Sequence, residues 1–294
     1  MTTTCSPAWL TDNSPVVEAV SQVIIRNADR LQGPDVLLLN PAPDALGLEL
    51  RSKDFDVRAT TVHHGVFRRI SDLGIETRFE ALPTIPSSCP SLVMVLPREK
   101  DLLRMLLHRC AANMTEEGTL WLVGENRSGI KSAARHMRDF FASVSKVDNA
   151  RHCVLLAARE PLKVGPFCSD DYVTRWQHGI PPHALELASL PGVFSHGRLD
   201  RGTALLLESL DPAPGAGQVL DFASGNGIIG LSLLAASPGL DVTLLDVSAL
   251  ALESARRSLE LNGLSARLVP SDGLAELQGS YDLIVSNPPF HRGV

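Results

Sequence analysis

Across residues 15–31 (PVVEAVSQVIIRNADRL) apolar side chains recur at intervals of three and four, the spacing by which a helix buries one face. Downstream the pattern shortens into branched-apolar runs bounded by Gly, Pro or Asp. These predict strands at Asp35–Leu39, 56–62, 75–81, 91–96, 119–123 and 153–158, with helices at 100–114 and 130–142. Continuous rather than alternating apolar runs suit strands buried on both faces of a sheet, so the first half reads as a layered α/β domain. Residues 161–200 carry Pro161, Pro166, Pro181, Pro182 and Pro191 with no sustained period, which predicts an irregular connection. A second series follows, with helices at 203–210, Ile228–Ala236 and 249–262, the last closed by Gly263 in the usual C-terminal position. Its strands are predicted at 218–222, 241–246, 266–269 and 281–286.

The two series run in parallel. Asp35 and Leu96 lie 61 residues apart, and their counterparts Gln218 and Ser286 lie 68 apart. An internal duplication explains this, with the first copy lacking the glycines and the Asn-Pro-Pro-Phe of the second; two unrelated α/β domains would show similar strand spacing. The expected organisation is an N-terminal domain over residues 1–160, a connection over 161–200 and a C-terminal domain over 201–294. In the first series 63 residues holding a helix, a strand, a helix and a strand follow Leu96, whereas only eight follow Ser286. The second domain is therefore expected to be cut short after its fourth strand, leaving an apolar sheet edge.

Composition narrows the function classes. No apolar run reaches the roughly 18 residues that span a bilayer, and residues 1–10 have no signal-peptide pattern. Five cysteines without a C-x-x-C pair suit a reducing compartment, so the expectation is a cytoplasmic protein, monomeric and without a membrane partner. With 27 basic and 33 acidic residues the net charge is −6, which argues against holding nucleic acid by diffuse attraction. The excess is uneven: residues 1–160 carry 19 of each sign and the remainder 8 basic against 14 acidic, so a polyanion meets less repulsion from the first part. His63, His64 and His108 lack metal-ligand spacing, and no metal is expected. Arg127 and Lys131, beside a glycine-containing turn, either touch RNA phosphate or cap and solvate a helix start.

The richest chemical signal runs from Val219 to Gly230 (VLDFASGNGIIG), a strand passing through a glycine turn into a helix. Gly225 and Gly227 permit close backbone approach to a ligand, with helix N–H groups aimed at it. Gly225-x-Gly227-x-x-Gly230 matches the dinucleotide fingerprint, and Asp246, 21 residues after Gly225, stands where an acid binds ribose hydroxyls. Asp221, four residues before Gly225, is placed to anchor the loop and to face a cationic amino-acid portion, which a dinucleotide site does not need. Asn287-Pro288-Pro289-Phe290 ends the fourth strand, and its chemistry suits methyl transfer to a planar exocyclic amine. The Asn287 amide oxygen and the Pro288 carbonyl can accept the amine hydrogens and turn its lone pair toward a methyl carbon. Two prolines stiffen the loop, and Phe290 offers a stacking face for an unpaired base.

The Asp221-x-x-x-Gly225-x-Gly227 loop, Asp246, Ser271-Asp272 and Asn287-Pro-Pro-Phe-His291 together resemble class I S-adenosylmethionine-dependent methyltransferases acting on exocyclic amines. More narrowly, Val123-Gly-Glu-Asn-Arg-Ser-Gly129, Lys146-Val-Asp-Asn-Ala-Arg151, Leu190-Pro-Gly-Val-Phe-Ser195 and Leu199-Asp200 are similar to the small-subunit ribosomal RNA guanine-N2 methyltransferases of the RsmC type. The resemblance runs from about residue 90 to the end and implies two tandem Rossmann-like class I methyltransferase domains, the first positioning RNA. It implies cofactor contacts by Asp221, Ala223, Gly225 and Gly227, ribose contact at Asp246 with Val247 beside it, and adenine contact near Asp272. Target-amine activation falls to Asn287 with Pro288, Pro289 and Phe290. The implied cofactor is S-adenosyl-L-methionine and the implied partner 16S rRNA in the small subunit. Ala223 and Ser224 stand where the family commonly has Gly-Cys. Three alternatives remain at this point: a large-subunit rRNA guanine-N2 methyltransferase, a nicotinamide dehydrogenase using the same glycine turn, and a non-catalytic RNA-binding or assembly factor.

Overall fold

The computed structural model describes residues 17–179, 184–210 and 215–288. In the first half the order is α1 (Ala19–Arg26), β1 (Asp35–Leu39), α2 (Leu46–Arg51), β2 (Asp56–Thr61), α3 (His64–Asp72), β3 (Glu76–Phe79), β4 (Ser91–Val95) and α4 (Lys100–Asn113). It continues through β5 (Thr119–Glu125), α5 (Ile130–Met137), β6 (Phe141–Ala150) and β7 (Cys153–Pro161). The sheet order is β3-β2-β1-β4-β5-β7-β6, with β1 to β5 parallel and the β6–β7 hairpin antiparallel. Both faces are covered, which is why its central strands read as unbroken apolar runs: Leu37, Leu92 and Met94 face α4 and α5, while Val36, Leu38 and Trp121 face α1 and α2.

In the second half β8 (Thr174–His178) and β9 (Leu185–Ser189) form a hairpin, followed by α6 (Arg201–Ser209), β10 (Gly217–Phe222), α7 (Ile228–Ala236), β11 (Leu240–Asp246), α8 (Ala249–Leu261), β12 (Arg267–Pro270) and β13 (Leu283–Ser286). The parallel sheet runs β12-β11-β10-β13, the same third-second-first-fourth order as the parallel strands of the first half. One face holds the larger core, Val219, Val242 and Leu244 packing on α7 and α8; the other holds Leu220, Leu245 and Val269.

Three sequence expectations are corrected. The helix expected over residues 130–142 ends at Met137, and Phe141 opens a ten-residue strand instead. Its edge position leaves most side chains partly exposed, so it lacks the dense apolar signature of its neighbours, and the pattern of Met137, Phe140 and Phe141 imitates a helix face. The connection over 161–200 is not irregular throughout: β8 and β9 pair along five residues each, and the Ser258 and Ser254 hydroxyls of α8 accept the N–H groups of Ala188 in β9 and Leu190 just after it, both at 3.0 Å. Of residues 15–31, the helix occupies Ala19–Arg26, a 3-10 turn follows over Ala28–Arg30, and residues 15 and 16 lie outside the described residues. Among the described residues no helix is long and apolar enough to cross a membrane.

The two halves meet through equivalent corners. The β2→α3 corner presents Val62, His63 and His64; the β11→α8 corner presents Val247, Ser248 and Ala249. His64 N–H donates to the Val247 carbonyl at 2.8 Å, and Ala249 N–H donates to the Val62 carbonyl at 2.8 Å. Leu250 and Ala251 of α8 join the core of the first half, and Arg68 of α3 pairs with Glu276 at 2.7 Å. A loop that flanks the candidate site is thus held by main-chain bonds from the first half.

Candidate active site

The carboxyl ends of β10, β11 and β13 converge on the turn over residues 223–227. Ser224 N–H donates to the Leu245 carbonyl at 3.0 Å and Gly227 N–H to the Ser224 carbonyl at 2.8 Å, drawing the turn across the end of β11. The two sequence-predicted glycines do different things. Gly225 has φ +57°, and no atom lies within 4 Å of where a Cβ would stand, so its backbone is open to an incoming group. Gly227 (φ +83°) is a packing glycine whose Cβ would press on Leu231, Leu244 and Ala255. Ala223 has φ +60°, a left-handed conformation that a side chain disfavours.

Two acids hold this turn. Asp246 is nearly buried on the cavity wall; its Oδ2 accepts Gly225 N–H and its Oδ1 accepts Ser248 N–H, both at 2.9 Å. Burial pushes its carboxyl up against the pull of these bonds, and each oxygen retains a lone pair that a ribose hydroxyl can use. Asp221 is fully buried and does not line the cavity. Its Oδ2 accepts Gly230 N–H at 2.9 Å, pinning the first turn of α7, while its Oδ1 has no partner among the described residues. Burial first, and the Asp246 carboxylate second, push the Asp221 carboxyl up to about 7. The anchoring expected of Asp221 is therefore seen, and its carboxylate sits beneath the cavity rather than in its wall.

The cavity has a volume of about 350 Å³ and brings together Ala223, Gly225, Asp246, Val247, Asp272 and Asn287. Its other wall comes from residues that spacing arguments passed over: Trp176 of β8, Val193, Phe194 and Arg198 of the following loop, and Asp200 and Thr203 at the start of α6. The one local signal for this wall is Asp200, which caps α6 by accepting the Gly202 and Thr203 N–H groups at 2.8 and 3.1 Å, as Asp at a helix start does. Asn287, directly after β13, donates through Nδ2 to Asp200 Oδ2 at 3.0 Å and to Thr203 Oγ1 at 2.7 Å. Pro288 follows it; Pro289 and Phe290 lie outside the described residues.

Ser224 and Trp176 also line the cavity, and their Oγ and Nε1 are buried polar atoms with no partner among the described residues. Unpaired polar groups beside a cavity with an open glycine backbone and an acid on its wall suit a polar ligand better than a packed core. No group of His, Cys, Asp and Glu able to hold a metal ion occurs among the described residues.

Comparison with known proteins agrees with this geometry. The family model described as Methyltransferase small domain matches residues 184–294, and Methyltransferase small domain N-terminal matches residues 21–176. Ribosomal RNA small subunit methyltransferase C of Pseudoalteromonas atlantica is 36% identical over 290 residues, covering 95% of this chain and 82% of the relative. The protein of that name from Shewanella denitrificans is 37% identical over 283 residues, 93% and 81% of the two chains. The solved structure of the T. thermophilus 16S rRNA N2 methyltransferase RsmC, in complex with AdoMet and guanosine, superposes with a TM-score of 0.83 at 24% identity, covering 96% of this chain and 81% of that one. The chain belongs to the ribosomal RNA small subunit methyltransferase C family.

Proposed function

We propose that this protein transfers a methyl group from S-adenosylmethionine to the exocyclic N2 of a guanine in 16S rRNA. The observation that carries the reading is that Asn287 shares one cavity with the glycine turn, Asp246 and Asp272. S-adenosylmethionine, when bound, supplies an electrophilic methyl whose bond to sulfur breaks with the electron pair staying on sulfur. Gly225 would offer open backbone to this donor, Asp246 would accept from its ribose, and Asp272, on the same cavity wall, would contact its adenine. Asn287 Oδ1 and the Pro288 carbonyl accept the two amine hydrogens, so the nitrogen lone pair points at the methyl carbon rather than into the ring. As the new N–C bond forms the nitrogen sheds one proton to water. No acid is needed because the leaving sulfur becomes neutral.

The shared strand order and the equivalent corners support an internal duplication whose first copy lacks the glycine turn. That first domain positions RNA, in keeping with its balanced charge and the exposed Arg127 and Lys131. The test is methyl transfer from labelled S-adenosylmethionine to purified small subunits, with the product nucleoside identified by mass spectrometry. N2-methylguanosine is expected from the wild type, with a loss on the order of 100-fold in Asn287→Ala. Equal transfer by the variant would overturn the role of Asn287, and a different methylated nucleoside would overturn the substrate.

A further inference from the structure

An asparagine amide has two nearly isosteric ends, and only one can serve a target amine. With Oδ1 toward the cavity it accepts an amine hydrogen; flipped, it opposes N–H to N–H and turns the amine away. Something must set the flip, and the start of α6 does so. We infer that Asp200 and Thr203 are positioning residues that take both hydrogens of Asn287 Nδ2 and thereby hold Oδ1 as the acceptor for the substrate amine.

Four observations meet here. Nδ2 has two hydrogens and two acceptors, Asp200 Oδ2 at 3.0 Å and Thr203 Oγ1 at 2.7 Å. Asp200 sets the direction: the Thr203 hydroxyl can donate or accept, but a carboxylate is acceptor-only, so the amide oxygen facing Asp200 would be repelled. Asp200 is itself fixed by capping α6, and Thr203 is buried, so the pair is preorganised. Between them Gly202 leaves the room the amide occupies, since a Cβ there would stand 3.1 Å from Asn287 Oδ1 and 3.4 Å from Nδ2. Asn287 Oδ1 takes no protein donor among the described residues, and Asn287 is one of the residues lining the cavity, as a group kept for a ligand would be. This inference rests on the proposed methyl transfer, and it explains why Asn suits this site: an aspartate at 287 would set two carboxylates against each other.

The test has a readout in the protein without cofactor or RNA. The side-chain amide signal of Asn287 in a ¹H–¹⁵N spectrum is assigned by its disappearance in Asn287→Ala. Thr203→Val, near-isosteric and without an acceptor, should move one of its two protons toward the free-amide position, while Thr203→Ser should leave both in place. Asp200→Gly, which keeps a tolerated cap residue, should move the other proton. In the transfer assay Thr203→Val should lower kcat on the order of tenfold, with Thr203→Ser near wild type. An Asn287 amide signal indifferent to Thr203→Val, or equal kcat for Thr203→Val and Thr203→Ser, would overturn the inference. Full activity of Asn287→Ala would instead overturn the proposed role of Asn287 itself.

Discussion

Asp221 makes the stability of this protein depend on pH in an unusual direction. Its carboxyl is pushed from 3.8 to about 7 by burial, with one oxygen bonded to Gly230 N–H and the other unpartnered. An acid whose folded pKa is raised binds its proton more tightly in the folded state, so its contribution is fully present below the unfolded pKa and is lost as pH rises through the folded value. A rise of about three pH units, at 1.36 kcal/mol each, corresponds to about 4 kcal/mol lost between about pH 4 and pH 7. Asp221→Asn removes the titration: the amide oxygen still accepts Gly230 N–H, and an unpaired N–H costs a pH-independent amount. Distant shifted groups such as Asp148 and Asp200, both lowered, remain in both proteins and cancel in the difference, whereas Asp246 is coupled to Asp221 and belongs to the same titration. Denaturant unfolding of the cofactor-free protein at several pH values is the assay. The difference in stability between the two proteins should swing toward the variant by about 4 kcal/mol as pH rises from about 4 to about 8. Parallel curves would refute the reasoning.

Ala223→Gly relieves the left-handed strain at φ +60° and is expected to raise unfolding free energy by about 0.5–1 kcal/mol after the added freedom of the unfolded chain, read as a higher Tm. Gly65→Ala should act at a distance from its own domain, because a Cβ there collides with the Asp272 carboxylate on the cavity wall; calorimetric titration should show S-adenosylmethionine binding weakened on the order of tenfold, with the circular dichroism spectrum unchanged.

The parts legible in the sequence are those whose cause is local. Asp35–Leu39 and Ser91–Val95 read as strands because burial on both faces leaves every position after the first apolar. The glycine turn is legible because open backbone at Gly225 and close packing at Gly227 and Gly230 all demand residues without a side chain. What escaped is long-range. Trp176, Phe194 and Arg198 reach the cavity only because β8 and β9 lay the connection along α8, and no spacing encodes that. Asp221 shows the same limit: alternation along a strand says which face a side chain takes, not that the first turn of α7 holds its carboxylate beneath the cavity. β6 was hidden by edge exposure, and the short helices α2 and α3 present too few turns to establish a period.

The reciprocal pairing of Val62–His64 with Val247–Ala249 has a consequence for how the sequence can drift. Its hydrogen bonds join main-chain atoms, so the bonds themselves do not depend on which side chains stand there. An inserted or deleted residue at either corner is different. It would throw both bonds out of register together and release Val247 and Ser248 from the wall of the cavity, so length at these two bends is under stricter control than identity.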